Sequence, residues 1–280
     1  MRNSEERFGT NPSLHEVTLP QPSQESLNFI VPTEFVDLPS KGKFYPPGHP
    51  LKGKETIEIK QMTAKEEDIL NSRSLLKKGV ALDKLIQSLV VDKGINCDTL
   101  TVEDRNAILI AARIAAYGPE YKTEITCPSC AEKSKFSFDL NDNLKSEEET
   151  SDYSAAVDEN GNFYVELPVT KWIVHCRVLN GGDEKTLVKI AEMKKKNSSQ
   201  NDSLLIDQLK LSIVSIQGVT ARDLINGAID TMPAKDSKFL RSMYQKVVPS
   251  VKILQRFHCK SCEAEADMEV PLSTDFFWFK

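Results

Sequence analysis

Two Cys-x-x-Cys pairs, Cys127-Pro-Ser-Cys130 and Cys259-Lys-Ser-Cys262, use four of the six cysteines and carry the clearest chemistry in this sequence. Zinc prefers four thiolate ligands in a tetrahedron, and a two-residue gap lets one tight turn aim two sulfurs at the same ion. Each pair is half a site, and 128 residues separate the halves. That spacing is too long for a compact finger, so a shared Zn2+ must clamp remote parts of one larger fold. A redox disulfide of thioredoxin type needs its first cysteine at a helix N-terminus after a strand, whereas here a second strand-like segment follows each pair. A closed four-cysteine site leaves no open position for water or substrate, so its expected role is structural. Four cysteines already complete the tetrahedron, which leaves His258 beside the metal or in solvent. Cys97 and Cys176 read as small buried apolar residues.

The elements that must position these cysteines follow from pattern. Strand-like stretches at 121–126 and 135–140 bracket the first pair, and 251–258 and 266–272 bracket the second, so each pair sits at the tip of a hairpin. Thr63-Ala-Lys-Glu66 is a capping box that starts a helix running to about residue 78. Leu82, Leu85, Ile86, Leu89 and Val90 recur at spacings of three and four, the buried stripe of a second helix. Thr101 caps a third, which ends at Gly118-Pro119 with a left-handed glycine. Beyond it, 162–168 and 171–179 read as a strand pair and 183–196 as a helix. Residues 204–216 read as helix, with 212–216 also readable as strand, and 221–229 and 236–247 as two more helices. The expected class is α+β, mainly helical, with two β-hairpin zinc knuckles joined in one zinc-ribbon-like site.

Four regions are expected. Residues 1–30 are polar and poor in large apolar groups, a composition that predicts a disordered tail. Residues 31–140 carry a Pro- and Gly-rich strap, a helical subdomain and the first knuckle. An acidic connector fills 141–161, and 162–280 holds the strand pair, helices, second knuckle and an aromatic tail. In the strap, Leu38, Phe44 and Tyr45 are placed to anchor an extended segment. In the tail, Phe276-Phe277-Trp278-Phe279 either tucks against the chain's own core or is offered to a partner groove, self-docking being favoured.

Composition narrows the function. The chain is 40% hydrophobic and 28% charged over 280 residues, enough for one large domain or two small ones. It has no signal-peptide core and no apolar run long enough for a membrane span, which predicts a cytoplasmic protein with reduced thiols. Net charge is −5 and pI about 5.6, a field that opposes nucleic acid. The basic run Lys194-Lys195-Lys196 ends a helix, where cations suit the dipole. The phosphate-loop, dinucleotide, zincin and serine-nucleophile signatures are absent. His15, His49, His175 and His258 are scattered, and Glu66-Glu67-Asp68 is explained by helix capping. An enzymatic role is not expected.

Several stretches together resemble the baseplate hub assembly family of T4-type contractile-tailed bacteriophages. They are Leu38-Pro-Ser-Lys-Gly-Lys-Phe-Tyr45, Met62-Thr-Ala-Lys-Glu-Glu-Asp-Ile-Leu70, Tyr117-Gly118 ahead of the first cysteine pair, Asp236-Ser-Lys-Phe-Leu-Arg-Ser-Met-Tyr244, and Phe257-His-Cys-Lys-Ser-Cys262 with Phe276-Phe-Trp278. The resemblance implies a non-enzymatic protein of tail morphogenesis that acts on baseplate hub or tape-measure proteins. Its place is the cytoplasm of the infected bacterial host or the virion tail baseplate, as a structural component or as an assembly chaperone. Pro39, Phe44, Tyr45, Phe276, Phe277 and Trp278 are the expected contact residues. The alternative is a zinc-ribbon adaptor that binds nucleic acid or RNA polymerase, using Lys133, Lys135, Arg256 and Lys260. Those charges also balance a dianionic zinc tetrathiolate.

Overall fold

The structure, a computed structural model, describes residues 31–141, 157–196, 204–249, 254–270, 272 and 274–277. The predicted tail, most of the acidic connector, the loop at 197–203 and Trp278 lie outside the described residues. Strand β1 (Thr33–Asp37) pairs antiparallel with β2 (Thr56–Lys60), placing Val36 opposite Ile57. The strap is the long connection between them. Helix α1 (Ala64–Asn71) starts at the predicted box, where the Glu66 carboxylate accepts the Thr63 N–H at 3.0 Å. The single helix expected to residue 78 is interrupted. Ser72 is extended at φ −68°, ψ 104°, and a short α2 (Arg73–Lys77) follows. Adjacent Asn71 and Ser72 compete with helix for backbone hydrogen bonds, and no buried residue of α2 holds the run together.

Helix α3 (Ala81–Leu89) buries Leu85, Ile86 and Leu89 as its spacing requires. Helix α4 (Val102–Tyr117) is capped by Thr101 and stops at Gly118, whose φ is 81° and ψ 171°. The glycine takes the positive φ expected of it, but its ψ lies outside the helical left-handed well, because Pro119 bars the residue before it from helical ψ. Hairpin β3 (Glu120–Thr126) and β4 (Lys133–Asp139) follows. Strands β5 (Asn162–Glu166), β6 (Ile173–Arg177) and β7 (Ile213–Ile216) form a three-stranded antiparallel sheet, with α5 (Gly181–Lys196) and α6 (Leu204–Ser212) inserted before β7. The 212–216 ambiguity resolves there. Helix ends at Ser212, and Ile213, Ser215 and Ile216 are buried beside β6. Helices α7 (Arg222–Asp230) and α8 (Ala234–Val247) lead to hairpin β8 (Leu254–His258) and β9 (Glu265–Glu269), then a 3-10 turn over Thr274–Phe277.

The expectation of a mainly helical chain is corrected by this inventory. The described residues are 41% helical and 25% strand, with eight α-helices and four small antiparallel sheets. The two knuckle hairpins account for only two of those sheets. Strands of four or five residues carry too little alternation to weigh against helices of fourteen to sixteen when read locally.

Two hydrophobic cores result. The first takes Val36, Ile59, Leu85, Ile108 and Phe138 from residues before 141, and adds Phe257, Val270, Phe276 and Phe277 from well beyond the second core. That second core is built from Phe163, Val174, Cys176, Ile213, Leu240 and Met243, with Phe44 as its single contribution from the strap. Phe44 and Tyr45, neighbours in sequence, therefore face different cores. The Asp104 carboxylate holds them, accepting the Ser40 N–H at 3.0 Å, the Ser40 hydroxyl at 2.6 Å and the Tyr45 hydroxyl at 2.6 Å. From the other side, Gly161 packs so closely on the Phe44 backbone that a Cβ there would lie 2.4 Å from its carbonyl.

Candidate metal centre

Each knuckle is a tight turn that its own backbone builds. In the first, the Cys127 N–H donates to the Glu132 carbonyl at 2.8 Å, and the Ala131 N–H returns to the Cys127 carbonyl at 3.0 Å. The second repeats this, with the Cys259 N–H on Ala264 at 2.9 Å and the Glu263 N–H on Cys259 at 2.9 Å. Ala131 and Glu263, one residue past each second cysteine, adopt left-handed φ values of 59° and 58°. Two different sequences thus make one turn, and each points its sulfurs the same way.

The hairpins bring all four Sγ atoms within 4.8 Å of one another. Cys127 lies 3.8 Å from Cys262 and Cys130 lies 3.7 Å from Cys259, sulfur to sulfur. With metal–sulfur bonds of about 2.3 Å, the edge of a zinc tetrathiolate tetrahedron is about 3.8 Å. The donor set and its spacing therefore fit a closed tetrathiolate site, and all four cysteines are free of disulfides. The backbone N–H of Cys130 draws the Cys127 thiol down against the effect of burial, while the neighbouring cysteines and burial push the Cys130 thiol up. The N–H groups of Ser261 and Cys262 draw Cys259 down likewise. Such preorganised N–H groups favour thiolate, the form that binds metal. His258 stays outside the cluster, exposed, with Nδ1 3.8 Å from Glu265. Cys97 and Cys176 are buried, and burial pushes the Cys176 thiol up to about 12.

Packing below the four sulfurs joins the hairpins independently of any metal. Phe136 meets Phe257 edge-on at 5.7 Å across the two hairpins, and Tyr121 meets Phe276 at 5.0 Å. The Gln255 amide reads the Asp139 backbone in both directions, accepting its N–H at 3.2 Å and donating to its carbonyl at 2.6 Å. Arg113 of α4 closes the base. It is 1% exposed and donates to the carbonyls of Phe276 at 3.1 Å, Gly118 at 3.2 Å and Glu120 at 3.4 Å, its guanidinium lying over the Tyr117 ring. One side chain thereby ties a helix end, the first strand of the first hairpin and the aromatic segment.

Of the expected contact residues, Pro39 is half-buried, Phe44 lies in the second core, and Tyr45, Phe276 and Phe277 lie in the first. Arg113, Asp104 and Gln255 were not singled out by sequence. An arginine inside the apolar run 107–114 was the available signal for the first. The other two act on residues 59 and 116 positions away, which leaves no local pattern.

The ribbon surface is mixed in charge. Residues 120–139 and 254–269 carry Glu120, Glu124, Glu132, Asp139, Glu263, Glu265, Asp267 and Glu269 against Lys122, Lys133, Lys135, Arg256 and Lys260. Arg256 is engaged by Glu265. Among the described residues no helix is long and apolar enough to cross a membrane.

A family model described as T4 bacteriophage base plate protein matches residues 31–278. The comparisons with curated proteins and with solved structures gave no match.

Proposed function

Because this chain belongs to the T4 bacteriophage base plate protein family, with the structural role in the phage tail that membership carries, we propose that it is a non-enzymatic baseplate hub assembly protein whose fold is held by one structural zinc. The convergence of four sulfurs from two hairpins, at the edge length of a zinc tetrathiolate, carries the metal part of this reading. Cys127, Cys130, Cys259 and Cys262 are the ligands. Zinc supplies no chemistry beyond binding, since a closed tetrahedron offers no site to a substrate.

The strongest buried carboxylates support a structural reading. Glu66 receives Lys60, Ser88 and Thr63; Asp104 receives Ser40 and Tyr45; Asp236 accepts the N–H groups of Val169 and Thr170 at 2.8 and 2.9 Å. Each is engaged in holding loops and helix ends. The acidic ribbon disfavours a nucleic-acid adaptor, because phosphate binding depends on unopposed cations. Hub or tape-measure proteins are the partners implied by the blocks at 38–45, 62–70 and 236–244, and the host cytoplasm is where they meet this chain during assembly.

The test is purification from infected cells with zinc and co-purifying proteins measured on the same sample. About one zinc per chain together with hub or tape-measure proteins is expected. Polymerase subunits or bound nucleic acid in their place would overturn the reading.

A further inference from the structure

Helices α6 and α8 face one another across an open hollow of about 620 Å³. Four residues of α6 line it, Leu205, Gln208, Leu209 and Ser212. Four of α8 line the other wall, Lys238, Arg241, Ser242 and Gln245. Both sets have the spacing i, i+3, i+4, i+7, so each helix presents one continuous stripe, about 10 Å long at 1.5 Å per residue. Leu179 and Tyr244 contribute to the apolar lining, and Leu205 stands 50% exposed beside it. A trough walled by two helical stripes is the shape that accepts a third helix of two to three turns.

Its charge is one-sided. No lining side chain is acidic. Two cations on neighbouring faces are neutralised, Lys194 by Asp207 at 2.6 Å and Lys210 by Asp230 at 2.8 Å. Lys238 and Arg241 form no ion pair among the described residues, and the Arg241 Nε donates one turn back to the Ser237 carbonyl at 3.3 Å. Two adjacent cations on one wall, above an apolar lining, complement carboxylates along one edge of an apolar helix.

We propose that this groove receives an amphipathic helix from a neighbouring base-plate protein, with its apolar face on Leu205, Leu209 and Tyr244 and its carboxylates against Lys238 and Arg241. That the helix belongs to a base-plate protein rests on the functional reading above; the groove chemistry does not.

Two fluorescein-labelled helical peptides of equal length and identical leucine spacing, one with glutamate and one with lysine at every other position, test the groove by anisotropy on the full chain. The glutamate peptide should bind at least tenfold more tightly, and added salt should erode the difference. Lys238→Glu with Arg241→Glu should reverse the preference, and Leu205→Asp should weaken both peptides about tenfold. Melting of each variant reports its folding, since these side chains are half-buried or exposed. Equal affinity for the two peptides, affinity unchanged by the variants, or a duplex DNA oligonucleotide that displaces the glutamate peptide would overturn the proposal. Co-purification of base-plate proteins with a chain that fails this test would leave the assembly role standing and remove only the groove.

Discussion

The two knuckles share a backbone turn yet differ in what lies beneath them. Strands β3 and β4 bury Tyr121, Ile125 and Phe138, and grow directly out of α4. Strands β8 and β9 together bury only Phe257, with every residue of β9 exposed or half-exposed. The first hairpin belongs to the core by burial. The second is held by Phe257, by Val270 just past β9, by the half-buried packing of Ala264 and Met268, by the Gln255 bridge, the aromatic turn that follows it, and the sulfurs. A metal here would stabilise its two halves unequally, and the hairpin with less core of its own would depend on it most.

Metal loss should expose that asymmetry most strongly. Cys259→Ser, or chelation of the wild type, should abolish bound zinc and lower Tm by about 10 °C or more. Hydrogen exchange should then show 254–269 opening while 120–139 stays protected. Equal opening of both hairpins would erase the distinction drawn here.

Next in size is Arg113, whose three carbonyl partners belong to both sides of the comparison. Arg113→Ala should destabilise by about 3 kcal/mol or more in denaturant titration, because buried acceptors lose a charged donor. Arg113→Lys should recover little of this, since one ammonium cannot reach three carbonyls in fixed directions. Full rescue by lysine would show that charge rather than the fork holds the aromatic turn.

A smaller effect comes from Glu66, at the far side of the first core. Burial alone raises its carboxyl, but hydrogen bonds from Lys60, Ser88 and Thr63 outweigh burial and hold it at about 2, below the ordinary 4.5. The folded state therefore binds this proton less readily than the unfolded one. Its stabilisation is complete above pH 4.5 and lost as pH falls towards 2. Glu66→Gln should flatten the acid limb of stability in that window and cost about 1–2 kcal/mol at neutral pH. The hairpin contacts should not change.

The smallest test asks whether the two turns are equivalent. Valine at Ala131 or at Glu263 should destabilise by about 1–2 kcal/mol, because a branched side chain resists left-handed φ, and glycine at either should be nearly neutral. Unequal penalties in thermal melts would separate the knuckles that their φ values make alike.

Local chemistry was legible in the sequence. The cysteine pairs, the Thr63 box, the Thr101 cap and the α3 stripe all act within a few residues of themselves, and each is found where its spacing puts it. What escaped acts at range. Asp104 reads as a first-turn helix carboxylate but secures Ser40 and Tyr45, and Asp236 reads the same way but ties down the turn after β5. Arg113 interrupts the apolar run of α4, but nothing local names its carbonyl partners, one of them 163 positions away. Strand β7 could be read only as an alternative to helix at 212–216, because four residues after a helix carry no period of their own.

The interrupted make-up of the first core has a consequence for the chain as it is synthesised. Cys127 and Cys130 leave the ribosome ahead of Cys259, with 128 residues between the two pairs. At about 5–20 residues per second that is a wait of roughly 6–26 s. During it, half of the sulfur cluster and the faces of Tyr121 and Phe136 stand without their partners. The second core, contiguous from 163 to 247 apart from Phe44, has all its material by then. A part translated late is therefore the first part's missing wall, and a nascent chain halted before residue 254 presents two thiols and an aromatic face to whatever else is in the cell.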